Sequence, residues 1–577
     1  MYNYSLNKSA KREPVDLEKR RNILLYGLLC GMVLLVFRSI YLQVLDREFL
    51  QAKAVMQHVD ELSVSAYRGK IVDRNGEPLA VSSPVQSIWT NPQELKDAEP
   101  QQLKRVEQIL DLPAGKLAQL QDPTSKRRFA YIIRRINPDL AEQVKNLDVP
   151  GIYFEREFKR YYPAGAISAH LVGFTNVDDI GQEGLELGFE EALKERPGKQ
   201  RVIRDGIRRV IAEVENVKEP EDGRDLQLSI DQRIQYLAFR ELQNALLDNN
   251  AKAVTMVVLD AKTGEILAAA NQPSFNPNTR KHPPGTIFKN QAITDVFEPG
   301  STVKPFVVAA ALDGNYVDPN IEIETHGSFA IGRHMVKDVH NYGTLTLTET
   351  LKKSSNVAAS KIALQMPPKY FWEVYHKLGF GVAPELGFPG EARGSLTNYR
   401  HWHAFDQAVV SFGYGVSCSI LQLARAYTAF ADDGLLHSVT LLKREVDDRA
   451  QRVFSAKTAV QVRDMLETVV NRDGTAFQAR VDGYRVAGKT GTVKKLSAAG
   501  GYTDDKYLGL FVGMAPASNP RLVIAVMVDE PNAGKYYGGL VAAPAFSKVM
   551  TGALRIMGIA PDQEESMPIL LVKKEQH

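Results

Sequence analysis

Hydrophobic and polar positions change their period several times along the chain, and each change marks an element. Residues 23–37, "ILLYGLLCGMVLLVF", are apolar or small without a charge; after Arg38 the apolar character resumes as "SIYLQVL", ending at Leu45. Together they are long enough for a membrane-spanning helix. From 46 to about 225, short alternating runs mix with helical ones. "SVSAYRGKIVDRNGEPLAVS" reads as strand, Asn75-Gly76 turn, strand. "DAEPQQLKRVEQILDL" and "PDLAEQVKNL" repeat their apolar positions at the helical period. Charge and a Pro/Gly pair in "VKEPEDGRD", 217–225, interrupt the pattern and mark a domain boundary.

Beyond it, "LQLSIDQRIQYLAFRELQNALLDN" predicts a strand and a strongly periodic helix, and "AVTMVVLDAKTGEILAAAN" an antiparallel hairpin. Helical stretches such as "SILQLARAYTAFADDG" follow, then a second strand pair in "YLGLFVGMAPASNPRLVIAVMVDEP". Strands at both ends with helices between them predict an α+β domain whose antiparallel sheet is closed by distant segments and flanked by helices. The expected division is a tail over 1–21, a transmembrane anchor over 22–45, a mixed α/β module over 46–225, a second domain over 226–561 and a tail over 562–577.

Composition narrows the class. A chain of 577 residues exceeds one typical core. Its 44% hydrophobic and 24% charged content excludes global disorder. The net charge of +3 is spread thinly, and no nucleic-acid-binding signature is present. The two cysteines, Cys30 and Cys418, supply neither a disulfide framework nor a cysteine zinc site. Lys8, Lys11, Arg12, Lys19, Arg20 and Arg21 precede the apolar run, which places the N-terminus in the cytoplasm and everything after Leu45 outside it. Ala52-Lys53-Ala54 has the small-x-small form of a signal-peptide cleavage site. It lies behind Asp46, Arg47 and Glu48, poor placement for cleavage, so an uncleaved anchor is expected.

The candidate chemistry centres on "FEPGSTVKPF", 297–306. Pro305 is tolerated only in a first helical turn, so Ser301 stands at or near a helix N-terminus. Lys304 lies three positions on and shares its face. A serine becomes a nucleophile when a base takes its proton; burial and a nearby cation can bring a lysine low enough to be that base. The other reading is an N-cap serine with a solvated lysine. The spacing alone is weak, since Ser5 and Lys8 repeat it. Downstream, "LKKSSNVAASKIA" contains Ser354-Ser355-Asn356, and "YRVAGKTGTVKK" contains Lys489-Thr490-Gly491-Thr492 on a strand. Gly488 and Gly491 let another backbone or a substrate approach that strand. Each triplet has decoys: Ser5-Leu6-Asn7 and Ser274-Phe275-Asn276 for the first, Lys262-Thr263-Gly264 for the second.

The ordered set is far more specific than its parts. Ser-x-x-Lys at a helix start, Ser-x-Asn 53 positions later and Lys-Thr-Gly 133 positions beyond Asn356 resemble the motif set of penicillin-binding proteins. "RGKIVDRNGEPLA", "FKRYYPAG" and "GQEGLE" resemble the boxes of the non-catalytic pedestal module in class B members. "FEPGSTVKP", "GYGVSCSILQLARAY" and "YYGGLVAAPAFSKV" resemble the division-specific members. The resemblance implies a serine-type peptidoglycan D,D-transpeptidase that cross-links stem peptides during septal wall synthesis and is inhibited by β-lactams. It implies Ser301 as nucleophile, Lys304 as its base and Ser354 as proton relay, with Asn356 orienting the donor amide. Lys489 would keep the site positive and bind the substrate carboxylate with Thr490 and Thr492. The oxyanion would rest on the backbone N–H groups of Ser301 and Thr492. No metal or other cofactor is required. A bacterial inner-membrane location follows, with the catalytic domain periplasmic. So does partnership with a lipid II polymerase of the FtsW kind and other divisome membrane proteins.

Three alternatives share this motif set. A bifunctional class A penicillin-binding protein would need a glycosyltransferase module, and the stretch 46–225 is short for one and lacks its Glu-Asp-rich motif. A class A β-lactamase usually carries a Glu-x-x-Leu-Asn segment after Ser-x-Asn, and none occurs here. A β-lactam-binding receptor or scaffold would keep the fold without turnover. Two further positions carry paired readings. Tyr536 and Tyr537 are either packing residues or an aromatic wall beside the Lys489 strand. Arg38 follows an apolar helix of only about 22 Å, against a hydrocarbon core near 30 Å; it either snorkels to the headgroups or contacts a membrane partner.

Overall fold

The computed structural model describes residues 17–48, 59–121, 127–204, 210–279, 285–444, 449–496 and 501–563, with 283 and 446. The Ala52-Lys53-Ala54 sequence, the cations Lys8, Lys11 and Arg12, the Ser5 decoys and the tail beyond residue 563 lie outside the described residues. Contacts gather the chain into two compact units. One takes the residues up to Ala66 together with Arg196–Glu221; the other takes Tyr67–Glu195 and the residues from Asp222 onward.

In the first unit the apolar run forms the helix Leu17–Ile40, which continues through one π-helical turn at Tyr41–Leu45. Glu18–Leu45 is long and apolar enough to cross a membrane. Arg38 is exposed on it, its guanidinium 5.3 Å from the centre of the Tyr41 ring. The same unit holds a three-stranded antiparallel sheet, with Gly198–Arg204 between Val59–Val64 and Val210–Lys218.

The second unit opens with the pairing of Ile71–Val72 and Pro78–Thr90 around the Asn75-Gly76 turn, where the Asp73 carboxylate accepts the N–H groups of Asn75 and Glu77. Pro78–Thr90 also pairs with Ala130–Ile136 and Ile152–Tyr161. The helices Pro100–Ile109 and Pro138–Lys145 stand where the period marks them and bury Leu103, Val106 and Val144 in a small separate core. The three boxes, far apart in sequence, meet in a buried ion cluster. The Glu186 carboxylate accepts from Arg68 at 2.8 Å and from Arg160 at 2.7 Å. After the charged 217–225 stretch the chain returns to this sheet, where Leu226–Gln227 pairs in parallel with Ile71–Val72.

The main sheet is five-stranded and antiparallel, in the order Ile266–Gln272, Ala253–Asp260, Leu522–Asp529, Tyr502–Ala515 and Ala487–Leu496. The expected closure by distant segments is here: Val523 pairs with Leu259. All eight residues of Ala253–Asp260 are buried, as a strand covered on both faces requires. Gln232–Asp248 and Ala543–Ile556 pack on each other and on the sheet, and Ile420–Ala431 packs against Ala253–Asp260 and Leu522–Asp529. The helix Lys304–Asp313 is buried from Lys304 to Leu312, which is why "KPFVVAAAL" has no polar face. Ala487–Leu496 is one of the two edge strands, so among the described residues only one of its sides is paired to another strand.

Candidate active site

Ser301 lies in a 3-10 turn, Gly300–Val303, that runs into the helix Lys304–Asp313, with Pro305 in the first turn. The N-cap reading does not hold: the capping positions are Pro299 and Val303, and neither gives a side-chain cap. Gly300 has φ 55°, and a Cβ there would fall 2.5 Å from Val493 Cγ2. The residue before the serine is thus a glycine both for its left-handed backbone and because the Lys489 strand packs against it. Gly491 does the same from the other side, since its Cβ would meet Thr302 Cγ2 at 2.9 Å. From behind, the fully buried Tyr427 donates its hydroxyl to the Thr302 carbonyl at 2.6 Å.

Lys304 is completely buried. Its Nζ donates to the Ser354 carbonyl at 2.5 Å and to Asn356 Oδ1 at 2.7 Å, and stands 3.3 Å from Ser354 Oγ. Burial and the nearby Lys489 cation push its pKa well below the ordinary lysine value, while Asp338 pulls the other way. Lys489 is equally buried. It donates to Ser354 Oγ at 3.0 Å and to the Thr490 carbonyl at 3.1 Å, and burial brings it down to about 7. Ser354 Oγ therefore sits between two lysine amines. The backbone of Ser354 ends the helix Leu347–Lys353 in the left-handed region, φ 62° and ψ 42°, a conformation that a non-glycine residue holds only when its surroundings enforce it.

Sequence reasoning missed the group that does much of this enforcing. Asp338 follows the hairpin of Ser328–Ile331 and His334–Lys337. Its carboxylate accepts from Ser355 Oγ at 2.6 Å, Asn356 N at 2.5 Å and Val357 N at 3.1 Å. It holds the Ser-x-Asn turn and the first turn of the helix Asn356–Ala363, whose N-cap is Ser355. A lone aspartate after a hairpin carries no signal in sequence. Glu298 was also missed; its carboxylate accepts from Gly415 N at 2.8 Å and Tyr502 Oη at 2.9 Å, tying the nucleophile turn to two neighbouring segments.

The remaining candidates divide. Thr490 Oγ1 is 2.9 Å from Thr475 Oγ1, and Thr492 Oγ1 accepts the Gly538 N–H at 3.2 Å, so the 475 turn and the 538 turn both pack against the strand. Tyr536 stacks at 4.2 Å on Tyr507 and at 4.6 Å on Tyr537. Tyr537, at the end of the stack, remains 49% exposed. The decoy Lys262 lies in its hairpin turn and pairs with Asp432 at 2.7 Å, and Ser274 donates to the Ala166 carbonyl. Arg38 belongs to the other unit. Among the described residues no group of His, Cys, Asp and Glu is arranged to hold a metal.

Comparison with known proteins agrees with this geometry. Residues 254–551 match the penicillin-binding protein transpeptidase domain, and residues 63–228 match the penicillin-binding protein dimerisation domain. The chain belongs to the class B penicillin-binding proteins. It is 42% identical to the peptidoglycan D,D-transpeptidase FtsI of Escherichia coli K12, over 93% of this chain and 92% of that one. It is 41% identical to the probable D,D-transpeptidase PenA of Neisseria meningitidis, over 95% of both. Among solved structures, the transpeptidase domain of Burkholderia pseudomallei penicillin-binding protein 3 is 44% identical, covers 58% of this chain and 98% of its own, and superposes with a TM-score of 0.54. A Bifidobacterium adolescentis peptidoglycan synthetase covers 88% of this chain and 98% of its own at a TM-score of 0.71 and 23% identity, a likeness of fold.

Proposed function

We propose that this class B penicillin-binding protein is a D,D-transpeptidase that cross-links peptidoglycan stem peptides during septal wall synthesis, through an acyl-enzyme on Ser301. The observation that carries the reading is the meeting of two buried lysine amines at Ser354 Oγ, beside a serine turn packed on the Lys489 strand. The two amines carry different charges in this reading. We take Lys304 as the neutral amine, because burial and the Lys489 cation both disfavour its charge: two N–H bonds go to Ser354 O and Asn356 Oδ1, leaving a lone pair for a hydroxyl proton. Lys489 is the ammonium and donates to Ser354 Oγ and Thr490.

Ser301 Oγ attacks the carbonyl of the penultimate D-Ala while Lys304 takes its proton. The tetrahedral oxyanion rests on the N–H groups of Ser301 and Thr492, each donor contributing about 3 kcal/mol. On collapse the C–N bond breaks, and the proton travels from Lys304 through Ser354 to the departing D-Ala amine. An amine from a second stem then attacks the ester and returns its proton by the same relay, and Ser301 leaves as an alcohol. Asn356 orients the donor amide; Thr490 and Thr492 hold its carboxylate with Lys489. β-Lactams enter the same path and stop at the ester. A scaffold that takes no acyl group would have no need of a desolvated base, and the depression of Lys304 speaks against it; a β-lactam receptor needs the same base, and turnover of a stem peptide is what distinguishes it.

We further place the N-terminus in the cytoplasm, the 46–225 module as a pedestal, the 226–561 domain in the periplasm, and a lipid II polymerase of the FtsW kind with other divisome proteins as partners. Tyr537, as the exposed end of the tyrosine stack, is the better candidate for the aromatic wall. Labelling by a fluorescent penicillin tests the central claim. Ser301→Ala should take no label while its thermal transition stays within about 2 °C of the parent, as for a substitution that removes no packing. Retained label would overturn the assignment.

A further inference from the structure

The two walls of the catalytic cleft come from distant parts of the chain: the helix Leu347–Lys353 that ends at Ser354, and the edge strand that carries Lys489. The proton relay requires their separation to be held, since Lys489 Nζ and Ser354 Oγ stand at 3.0 Å. Resting on the transpeptidase reading above, we infer that the turn Asn471–Thr475 is a strut between these walls, with Asp473 and Thr475 as positioning residues for the relay.

The turn is built to be stiff. It follows the 3-10 segment Thr468–Val470, whose Val469 and Val470 are buried and which packs on both the helix Leu347–Lys353 and the strand Ala487–Leu496. Its base is closed by Ala476 N–H donating to the Val469 carbonyl at 3.0 Å, and its tip by Gly474 N–H donating to the Asn471 carbonyl at 3.0 Å. One side of the tip grips the serine wall. The Asp473 carboxylate takes Lys352 Nζ, and its carbonyl accepts from Lys353 Nζ at 3.3 Å. These two lysines immediately precede the left-handed Ser354, where the helix must end in register. The other side grips the strand. Thr475 Oγ1 and Thr490 Oγ1 are 2.9 Å apart, and Thr490 Oγ1 lies 3.4 Å from Lys489 Nζ. The Thr475 carbonyl is also so close to Gly539 that a Cβ there would meet it at 2.0 Å. One short turn therefore touches the neighbours of both relay residues, and neither of its positioning groups reaches the nucleophile.

The ion pair to Asp473 is solvent-exposed on the acid side, and pairs of that kind stabilise a fold little. The strut should consequently show in rate and pH dependence more than in melting. In the full-length detergent-solubilised protein, acylation by a fluorescent penicillin is measured across pH for the parent, Thr475→Val, Thr475→Ser and Asp473→Asn. Thr475→Val is expected to slow acylation about fivefold, the worth of one neutral hydrogen bond, and to move the pH at which the rate rises; Thr475→Ser should restore both. Asp473→Asn should slow acylation without lowering the thermal midpoint. Thr475→Val and Asp473→Asn acylating within twofold of the parent on an unchanged pH profile would overturn the strut. So would a slowing that tracks lost thermal stability and is not rescued by serine. Failure of the parent itself to take label would instead overturn the transpeptidase reading.

Discussion

Asp338 offers the sharpest test of how this site is held, because its replacement changes organisation and charge in ways that can be separated. Its carboxylate accepts three hydrogen bonds, from Ser355 Oγ at 2.6 Å, Asn356 N at 2.5 Å and Val357 N at 3.1 Å. Asp338→Asn keeps the shape but offers one acceptor oxygen and turns an NH2 group toward at least one of these donors. Hydrogen bonds to a charged group contribute about 1.5–3 kcal/mol each. Losing the charge and opposing one donor should misplace the Ser-x-Asn turn at a cost of about 2 kcal/mol in the transition state, roughly a 30-fold slower acylation at the high-pH plateau. The second effect concerns the base. Asp338 holds the Lys304 proton on, against burial and the Lys489 cation. Acylation needs Lys304 neutral, so the rate rises as pH climbs through the Lys304 pKa. Removing the carboxylate lowers that pKa further, and the rise should move to more acidic pH. Penicillin acylation rates from pH 5 to 10 read both effects, in the plateau and the midpoint. An undiminished plateau would refute the hydrogen-bond argument, and an unmoved or alkaline-shifted midpoint would refute the electrostatic one.

Four further outcomes are expected. Lys304→Ala should lose acylation almost completely, whereas Lys262→Ala, which breaks only the ion pair to Asp432 in the decoy turn, should acylate within about threefold of the parent; equal behaviour of the two in a labelling assay would show that the wrong triplet had been chosen. Lys489 is lowered from 10.5 to about 7 in the folded chain, so between those values the unfolded chain binds more protons and stability should rise with pH. Lys489→Met should therefore raise the thermal midpoint at pH 7 and lose that advantage by pH 10, and a constant difference across the range would count against it. Tyr537→Ala should weaken acylation by bulky β-lactams more than by small ones, and Tyr536→Ala should do so less selectively because its ring is held in the Tyr507 stack; equal losses for all drugs would leave both tyrosines as packing residues. Arg38→Leu should still insert and still bind penicillin but lose co-purification with the lipid II polymerase, and a variant that keeps its partner and supports septal synthesis would make Arg38 an anchor alone.

Much of this molecule was legible in its residues because the relevant signals are local. The apolar run before Leu45, the two apolar, β-branched runs of 253–260 and 266–272 around a Lys-Thr-Gly turn, and the period of 232–248 each report a preference that neighbouring residues impose on one another. Pro305 restricted the place of Ser301 through a clash within a single turn. The order of the three motifs was equally plain, although their meeting was not: Lys304 and Ser354 lie 50 positions apart and Ser354 and Lys489 a further 135. Only tertiary packing decided that both lysines would be buried, and burial is what displaces them from the ordinary lysine range. It also decided which groups serve the motifs from outside. Asp338, Glu298 and Thr475 are a lone aspartate, a glutamate before a proline and a threonine in a turn, and no period or spacing distinguishes them from their surface counterparts. Their roles arise when the chain closes distant segments onto one another, and a hydrogen bond between such segments leaves no trace in the pattern of either.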